Sequence, residues 1–252
     1  MELLWLGHAG IVVRHGSTMV AVDPFLSGKF WWKGRLEQYQ GESPWIGEAG
    51  RQQFLEKYGS QLTAICITHA HGDHCDLDTI FQLLQTNPKI WLFIPHPIHS
   101  WLKSMDNCEL AGIIKVRAGK DYDLPASNVI IHPIQDPKSR FERYPSRVGY
   151  LIRPINSPGV AHVGDSHSIG SDWGAIKDMV SDLVIWQRGN PTKIVRLFNH
   201  NRTLKRVWAI HWEPFHPGNF DCNKDPIPFL SQFQPFGIQT GKLSYEKWTE
   251  IR

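Results

Sequence analysis

At 252 residues the chain sits near the upper end of what one hydrophobic core serves, so one domain over residues 1–252 is the expected organisation. Its 27 Lys and Arg are scattered among 24 Asp and Glu, which excludes the concentrated basic footprint of a dedicated nucleic-acid binder. No apolar stretch approaches the ~18 residues a bilayer span demands, the opening MELLWLGHAG lacks a basic segment followed by a long apolar region, and the cysteines form no Cys-x-x-Cys pair. The expectation is a cytoplasmic protein in a reducing setting, without a nucleic-acid partner and without stable membrane insertion.

In chain order, Met1 to Leu6, Gly10 to Arg14 and Met19 to Val22 read as short apolar strands separated by Gly7-His8 and His15-Gly16-Ser17, an antiparallel opening. Ser27 to Gly50 is a looser segment rich in Gly, Trp and charge, and it leads to a helix near Glu48 to Tyr58. The strand Leu62 to Ile67 runs into Thr68-His69-Ala70-His71-Gly72-Asp73-His74-Cys75, after which the apolar spacing from Asp76 to Leu84 predicts a helix capped by Asp76. Further strands are expected over Ile90 to Ile94, Ile113 to Arg117, Asn128 to Ile134, Arg147 to Ile152, Val160 to Val163, Leu183 to Trp186 and Val207 to His211. Helical patterns fall near Ile98 to Met105, Asp172 to Val180 and Thr192 to Leu204. Strands in both halves with helices between them predict two sheets packed face to face and covered by helices.

The histidine cluster leaves a strand, where residues two apart project similarly, so His69 and His71 can converge on one ion while Asp73 and His74 turn toward a neighbouring position. Gly72 relieves the backbone where the chain folds back. Four side chains cannot complete two metal shells, and the sequence offers more at other strand ends. Asp165 follows Val160-Ala161-His162-Val163-Gly164, and a carboxylate there can bridge two cations about 3.5–4 Å apart. His211 ends another apolar strand. Cys75, beside the cluster, reads as a small packing residue.

Taken in order, Asp23 in Val20-Ala21-Val22-Asp23-Pro24, the cluster at 69–74, Asp165 in Gly164-Asp165-Ser166 and His211 make the chain resemble the metallo-beta-lactamase superfamily. Trp5-Leu6-Gly7-His8-Ala9-Gly10 and Ala209-Ile210-His211-Trp212-Glu213-Pro214-Phe215 look like its branch holding N-acylphosphatidylethanolamine phospholipase D and the ascorbate-6-phosphate lactonase. The resemblance implies an α/β fold, the αββα four-layer sandwich, with a metal site at one edge of the sheets. It also implies one metal held by His69, His71 and Asp165, a second held by Asp73, His74, Asp165 and His211, and Asp23 behind them, accepting a hydrogen bond that fixes the cluster. His8 would lie near the site, with a packing role as the equal alternative. One departure stands out. Where the branch carries a further histidine ligand, in a context like Pro-x-Gln-His-x-x-x-Arg, this chain has Pro133-Ile134-Gln135-Asp136-Pro137-Lys138-Ser139-Arg140. Either Asp136 binds as a harder oxygen ligand, favouring Mn or Fe, or the first site is weak; His132 has the same facing but lies too far back to substitute.

The expected function is that of a metal-dependent hydrolase, in which metal-bound hydroxide attacks a small ester, lactone or phosphodiester. The expected cofactor is one or two divalent metal ions, Zn first, with Mn or Fe as alternatives. Asp73 would orient or deprotonate the water, and His167 is the other catalytic candidate, open equally to being a loop histidine facing water. Trp31 and Trp32, Arg140 with Arg143 and Arg147 nearby, and His216 are the candidates for contacting a small-molecule substrate, although the tryptophan loop reads equally well as packing. A homo-oligomer stays open. Two other readings are kept: a mononuclear iron or manganese enzyme with oxygen-dependent redox or lyase chemistry, and a binding module that has lost catalysis.

Overall fold

The computed structural model describes residues 1–32, 34–103, 112–136, 147–166, 171–186, 190–198, 203–213, 225–245 and 247–251. In β1 (Glu2–Gly7), Leu3 and Trp5 enter one apolar cluster while Leu4 and Leu6 enter another. A strand that is apolar on both faces must be covered on both, so it belongs in an inner layer. β2 (Gly10–His15) and β3 (Thr18–Val22) continue antiparallel. The chain then leaves the sheet for a hairpin of β4 (Lys29–Trp32) and β5 (Arg35–Gln38), and for helix α1 (Glu48–Tyr58). It returns as β6 (Ala64–Cys66), parallel to β3. Helix α2 (Leu77–Thr86) begins as the sequence predicts, with the Asp76 carboxylate accepting from the Thr79 N–H. β7 (Trp91–Ile94), α3 (His96–Lys103) and β8 (Ile113–Lys115) extend the parallel half.

The second half repeats this antiparallel-then-parallel plan. β9 (Tyr122–Asp123), β10 (Val129–Gln135), β11 (Val148–Pro154) and β12 (Gly159–His162) pair antiparallel, and β13 (Val180–Trp186), β14 (Arg206–Ile210) and β15 (Gln239–Lys242) pair parallel. Helices α4 (Pro191–Phe198) and α5 (Ile227–Leu230) cover its outer face. β16 (Thr249–Glu250) crosses back to β1, giving sheet orders β16-β1-β2-β3-β6-β7-β8 and β15-β14-β13-β12-β11-β10-β9 among the described residues.

Three apolar clusters mark the layers. Leu3, Trp5, Val13 and Phe93 of one sheet meet Ile131, Tyr150, Ile152 and Val184 of the other. Leu4, Ile65 and Leu92 pack under α1 and α2 through Phe54, Ile80 and Leu83. Leu151, Leu183 and Ala209 pack under Ile194, Phe198 and Phe233. The expected αββα sandwich is therefore observed. Local expectations change in three places, one being the helix expected near Thr192 to Leu204, which is observed over Pro191–Phe198 and leaves Leu204 outside it. The helix expected over 172–180 winds as a 3-10 helix over Ser171–Met179, whose buried Trp173 and Ile176, three residues apart, share a face at three residues per turn. The looser segment after Ser27 contains the β4–β5 hairpin. Among the described residues no helix is long and apolar enough to cross a membrane.

Candidate metal centre

Parallel strands bring their C-terminal ends to a common edge, where open α/β sheets expose binding groups. Asp23 follows β3, His69 and the cluster follow β6, Asp165 follows β12, and His211 follows β14. His8 sits in the turn between β1 and β2. His8, Asp23 and His211 have φ of 48°, 47° and 62°, a left-handed conformation that costs a non-glycine residue roughly 1–3 kcal/mol. Their surroundings hold them there. The Asp23 N–H donates to the Cys66 carbonyl at 3.0 Å, the His211 N–H donates to the His8 carbonyl at 2.9 Å, and the His8 N–H donates to Glu213 Oε2 at 2.7 Å. Within the cluster, the N–H groups of His74 and Cys75 both donate to the His71 carbonyl, closing a turn that swings His74 inward.

Two groups of donor atoms result. His8, Asp73, His74 and His211 offer atoms within 4.8 Å of one another, as do His69, His74 and Asp165. Asp165 joins the two: Oδ1 lies 2.9 Å from His74 Nε2 and 3.3 Å from His211 Nε2, while Oδ2 lies 3.2 Å from His69 Nε2 and 3.6 Å from His71 Nδ1. Asp73 Oδ2 is 3.5 Å from His211 Nε2 and 3.8 Å from His74 Nε2.

Hydrogen bonds fix which ring nitrogens face the centre. Asp23 Oδ2 accepts from His74 Nδ1 at 2.7 Å and from the Thr68 hydroxyl at 2.6 Å, and its Oδ1 accepts from the Thr68 N–H at 2.8 Å. Having given its proton to Asp23, the Thr68 hydroxyl accepts from His69 Nδ1 at 3.0 Å. Both imidazoles are thus protonated at Nδ1 and present Nε2 inward. His8 is different: its Nε2 donates to Asp73 Oδ2 at 3.0 Å, which orients that carboxylate and leaves no lone pair on the same nitrogen. Charge follows the same arrangement. Burial, then His211, depress His8 to about 3, and burial, then His74, depress His69 to about 4, so both rings are neutral at neutral pH. Burial opposes charge on His74, yet Asp165, Asp73 and Asp23 around it raise its pKa well above the ordinary value. Against the same burial, His74 and its neighbouring histidines hold Asp73 and Asp165 well below the usual carboxylate range.

This donor set fits a divalent cation. His69 Nε2, His74 Nε2 and Asp165 Oδ1 are buried and make no hydrogen bond among the described residues, although they approach one another closely. Buried polar atoms are rarely left so, and imidazole and carboxylate donors converging on one point suit Zn, Mn or Fe.

The remaining sequence candidates are distributed as follows. His71 lies beside Asp165 with its side chain 31% exposed. Asp136 is buried and accepts from the Ser166 hydroxyl at 3.3 Å, and it belongs to neither donor group. Trp31 is 71% exposed on the β4–β5 hairpin, and its neighbour Phe30, on the opposite face by strand alternation, packs toward Gly72 of the cluster. His132 pairs with Asp121 at 2.6 Å, away from the cluster. Burial raises the Cys75 thiol to about 12, in keeping with packing. His167, Arg140, Arg143, His216 and the side chain of Trp32 lie outside the described residues. Two supporting groups, His162 and Glu213, were not singled out from sequence, and Arg147, expected beside the substrate, contacts the cluster itself. His162 spans the sheets, donating from Nε2 to the Ala9 carbonyl at 2.8 Å and accepting the Gly164 N–H at 3.1 Å. Glu213 takes the His8 N–H and the Tyr245 hydroxyl. Arg147 donates to His71 Nε2 at 3.2 Å. The available signal was position: His162 ends β12 three residues before Asp165, and Glu213 lies two residues after His211.

Comparison with known proteins gives the same outline. A family model described as a beta-lactamase superfamily domain matches residues 2–187, ending before His211. A metal-dependent hydrolase of Methylobacterium nodulans is 27% identical over 177 residues, covering 68% of this chain and 65% of that protein. An N-acyl-phosphatidylethanolamine-hydrolyzing phospholipase D of Caenorhabditis elegans is 22% identical over 173 residues, covering 68% of this chain and 42% of that protein. The chain thus spans less than two thirds of the length of either curated relative. A solved metallo hydrolase of the archaeon Ignicoccus hospitalis superposes with a TM-score of 0.73 at 17% identity, over 100% of this chain and 99% of that one, a likeness of fold.

Proposed function

The chain belongs to the metallo-beta-lactamase superfamily, and from that premise we propose that it is a metal-dependent hydrolase of a small ester, lactone or phosphodiester. The observation that carries the reading is the gathering of His69, His74, His211, Asp73 and Asp165 from separate strand ends into two adjoining groups of donor atoms that Asp165 joins. A divalent cation held by these residues would supply Lewis-acid chemistry toward water and the electrophile's oxygen. The chain's own residues do the rest. Asp73 accepts a proton at the carboxylate that His8 Nε2–H holds in place, and its depressed pKa keeps it ionised for that task. Asp23 and Thr68 keep His69 and His74 in the tautomers that turn Nε2 inward. The β4–β5 hairpin, seated on Gly72 through Phe30, forms a wall beside the cluster. The name of the Caenorhabditis elegans relative supports keeping phosphodiesters among the substrates tried first.

The test is turnover of bis(p-nitrophenyl) phosphate and of a short-chain lactone before chelation, after chelation and after reloading with Zn or Mn. Activity on either probe should vanish with chelation and return with metal, and Asp73→Asn should lower it roughly 100-fold or more. Turnover indifferent to chelation would overturn the reading, as would full activity in Asp73→Asn. Dioxygen consumption without hydrolysis would move the protein to the oxygen-dependent alternative.

A further inference from the structure

Arg147 stands where the sequence departs from the expected ligand pattern. Its backbone is fixed on two sides. The Arg147 carbonyl accepts from the Asp136 N–H at 3.1 Å and from the Gln135 side-chain amide at 3.4 Å, and the N–H of the next residue, Val148, donates to the Thr68 carbonyl at 3.0 Å, one residue before His69. The side chain, 17% exposed, reaches into the cluster. Its Nη2 donates to His71 Nε2 at 3.2 Å, and its Nη1 lies 3.9 Å from Asp165 Oδ2. That oxygen is the one His69 Nε2 and His71 Nδ1 also face.

Three consequences bear on the first metal position, the one the family resemblance assigns to His69, His71 and Asp165. A neutral imidazole has a single lone pair, and while His71 gives its own to the guanidinium its Nδ1 carries the proton on the side of Asp165 and offers a metal no lone pair. A guanidinium does not lose its charge in a protein, so a fixed positive group opposes a cation at this point. The corner where a third imidazole is expected holds Asp136, which takes a hydrogen bond from Ser166 and lies outside both donor groups. The second position keeps Asp73 Oδ2, His74 Nε2, His211 Nε2 and Asp165 Oδ1.

We propose that Arg147 is the resident cation of the first position, so that the site takes up a single divalent ion, held by Asp73, His74, Asp165 and His211. This rests on the metal-dependent reading above and adds the count and the group that sets it. The guanidinium replaces half of a dinuclear centre with a charge that needs no loading and cannot be chelated.

The experiment titrates the metal-free full chain with Zn by calorimetry and counts retained ions by elemental mass spectrometry. Wild type and Arg147→Lys should each bind one ion per chain. Asp136→His alone should also bind one, because the guanidinium remains, whereas the Arg147→Met/Asp136→His double variant should bind two. Two ions in wild type, two in Asp136→His, or one in a folded double variant would each overturn the proposal and leave the hydrolase reading standing. No ion in wild type would overturn both. The single variants keep the test decisive should the double variant fail to fold.

Discussion

Replacing Asp23 with Asn changes one buried oxygen into an amide nitrogen and should separate folding from metal binding. The Asp23 carboxylate is fully buried and accepts three hydrogen bonds, from the Thr68 N–H, the Thr68 hydroxyl and His74 Nδ1. An asparagine oxygen can keep the first. Its NH2 then faces the other two, so the Thr68 hydroxyl must accept instead of donate, and His74 Nδ1 must present a lone pair. A hydrogen bond to a charged acceptor contributes roughly 1.5–3 kcal/mol, so the loss should be of that order, within the roughly 5–15 kcal/mol of a typical domain. The metal-free variant should therefore remain folded. With Nδ1 deprotonated, however, His74 carries its proton on Nε2, the atom that faces Asp165 and the centre. Disrupting a partner behind a ligand typically costs 10–100-fold in metal affinity, and here the wrong tautomer should put the loss toward the upper end of ~10–100-fold. Urea unfolding of the metal-free proteins measures the first quantity and a competition titration with Zn the second. An Asp23→Asn protein that binds Zn within about threefold of wild type would refute the tautomer argument, because that outcome is incompatible with His74 as a ligand oriented by Asp23.

The stability of the metal-free protein should peak near the ordinary histidine pKa and fall on both sides. His69 and His8, depressed to about 4 and about 3, stay neutral in the fold while the unfolded chain takes up protons below about 6.5, so stability drops as pH falls, by roughly 1–2 kcal/mol per ring at pH 5. His74, whose pKa is raised, contributes stability that is fully present below about 6.5 and is lost as pH rises through its folded value; a flat profile from pH 5 to 9 in urea melts would contradict the charge arrangement. Gly72→Ala would place a Cβ 2.7 Å from Phe30 Cβ, forcing the β4–β5 hairpin off the cluster, and should destabilise by roughly 1–3 kcal/mol in the same melts while raising KM on whichever probe is hydrolysed. Unchanged stability and KM in that variant would mean that the hairpin is not a wall of the site.

Much of this arrangement could be read from local pattern. Strands such as Leu3 to Leu6 and Val20 to Val22 are continuous apolar runs, which only a doubly covered sheet accommodates, and the Asp76 cap lies three residues before the Thr79 N–H it satisfies. The ligand candidates were legible for the same reason: each directly follows or nearly follows an apolar strand, and strands that end in polar donors advertise an edge. Supporting residues were less visible because their roles are non-local. Glu213 acts on His8, 205 residues earlier in the chain, and His162 on Ala9, 153 residues earlier, so neither role leaves a spacing to read.

Asp136 and Arg147 show where local reading stops and sheet register takes over. From sequence, the departure at Asp136 invites the thought that the carboxylate itself replaces the missing imidazole, since it stands at the same place in the motif. Register brings a second residue beside it. β10 and β11 pair Gln135 with Val148, so the residues just beyond that pair, Asp136 and Arg147, lie opposite each other at the mouth of the cluster. Their backbones bond directly, and the longer arginine reaches His71 and the far oxygen of Asp165. The substitution at 136 is therefore best understood as half of a pair whose other half brings a permanent positive charge. A divalent ion and a guanidinium are alternative ways of countering the same Asp165 oxygen, and a site offering both competes with itself. The register of two adjacent strands, more than the identity of any single ligand, thus sets how many ions this edge of the sandwich can accept.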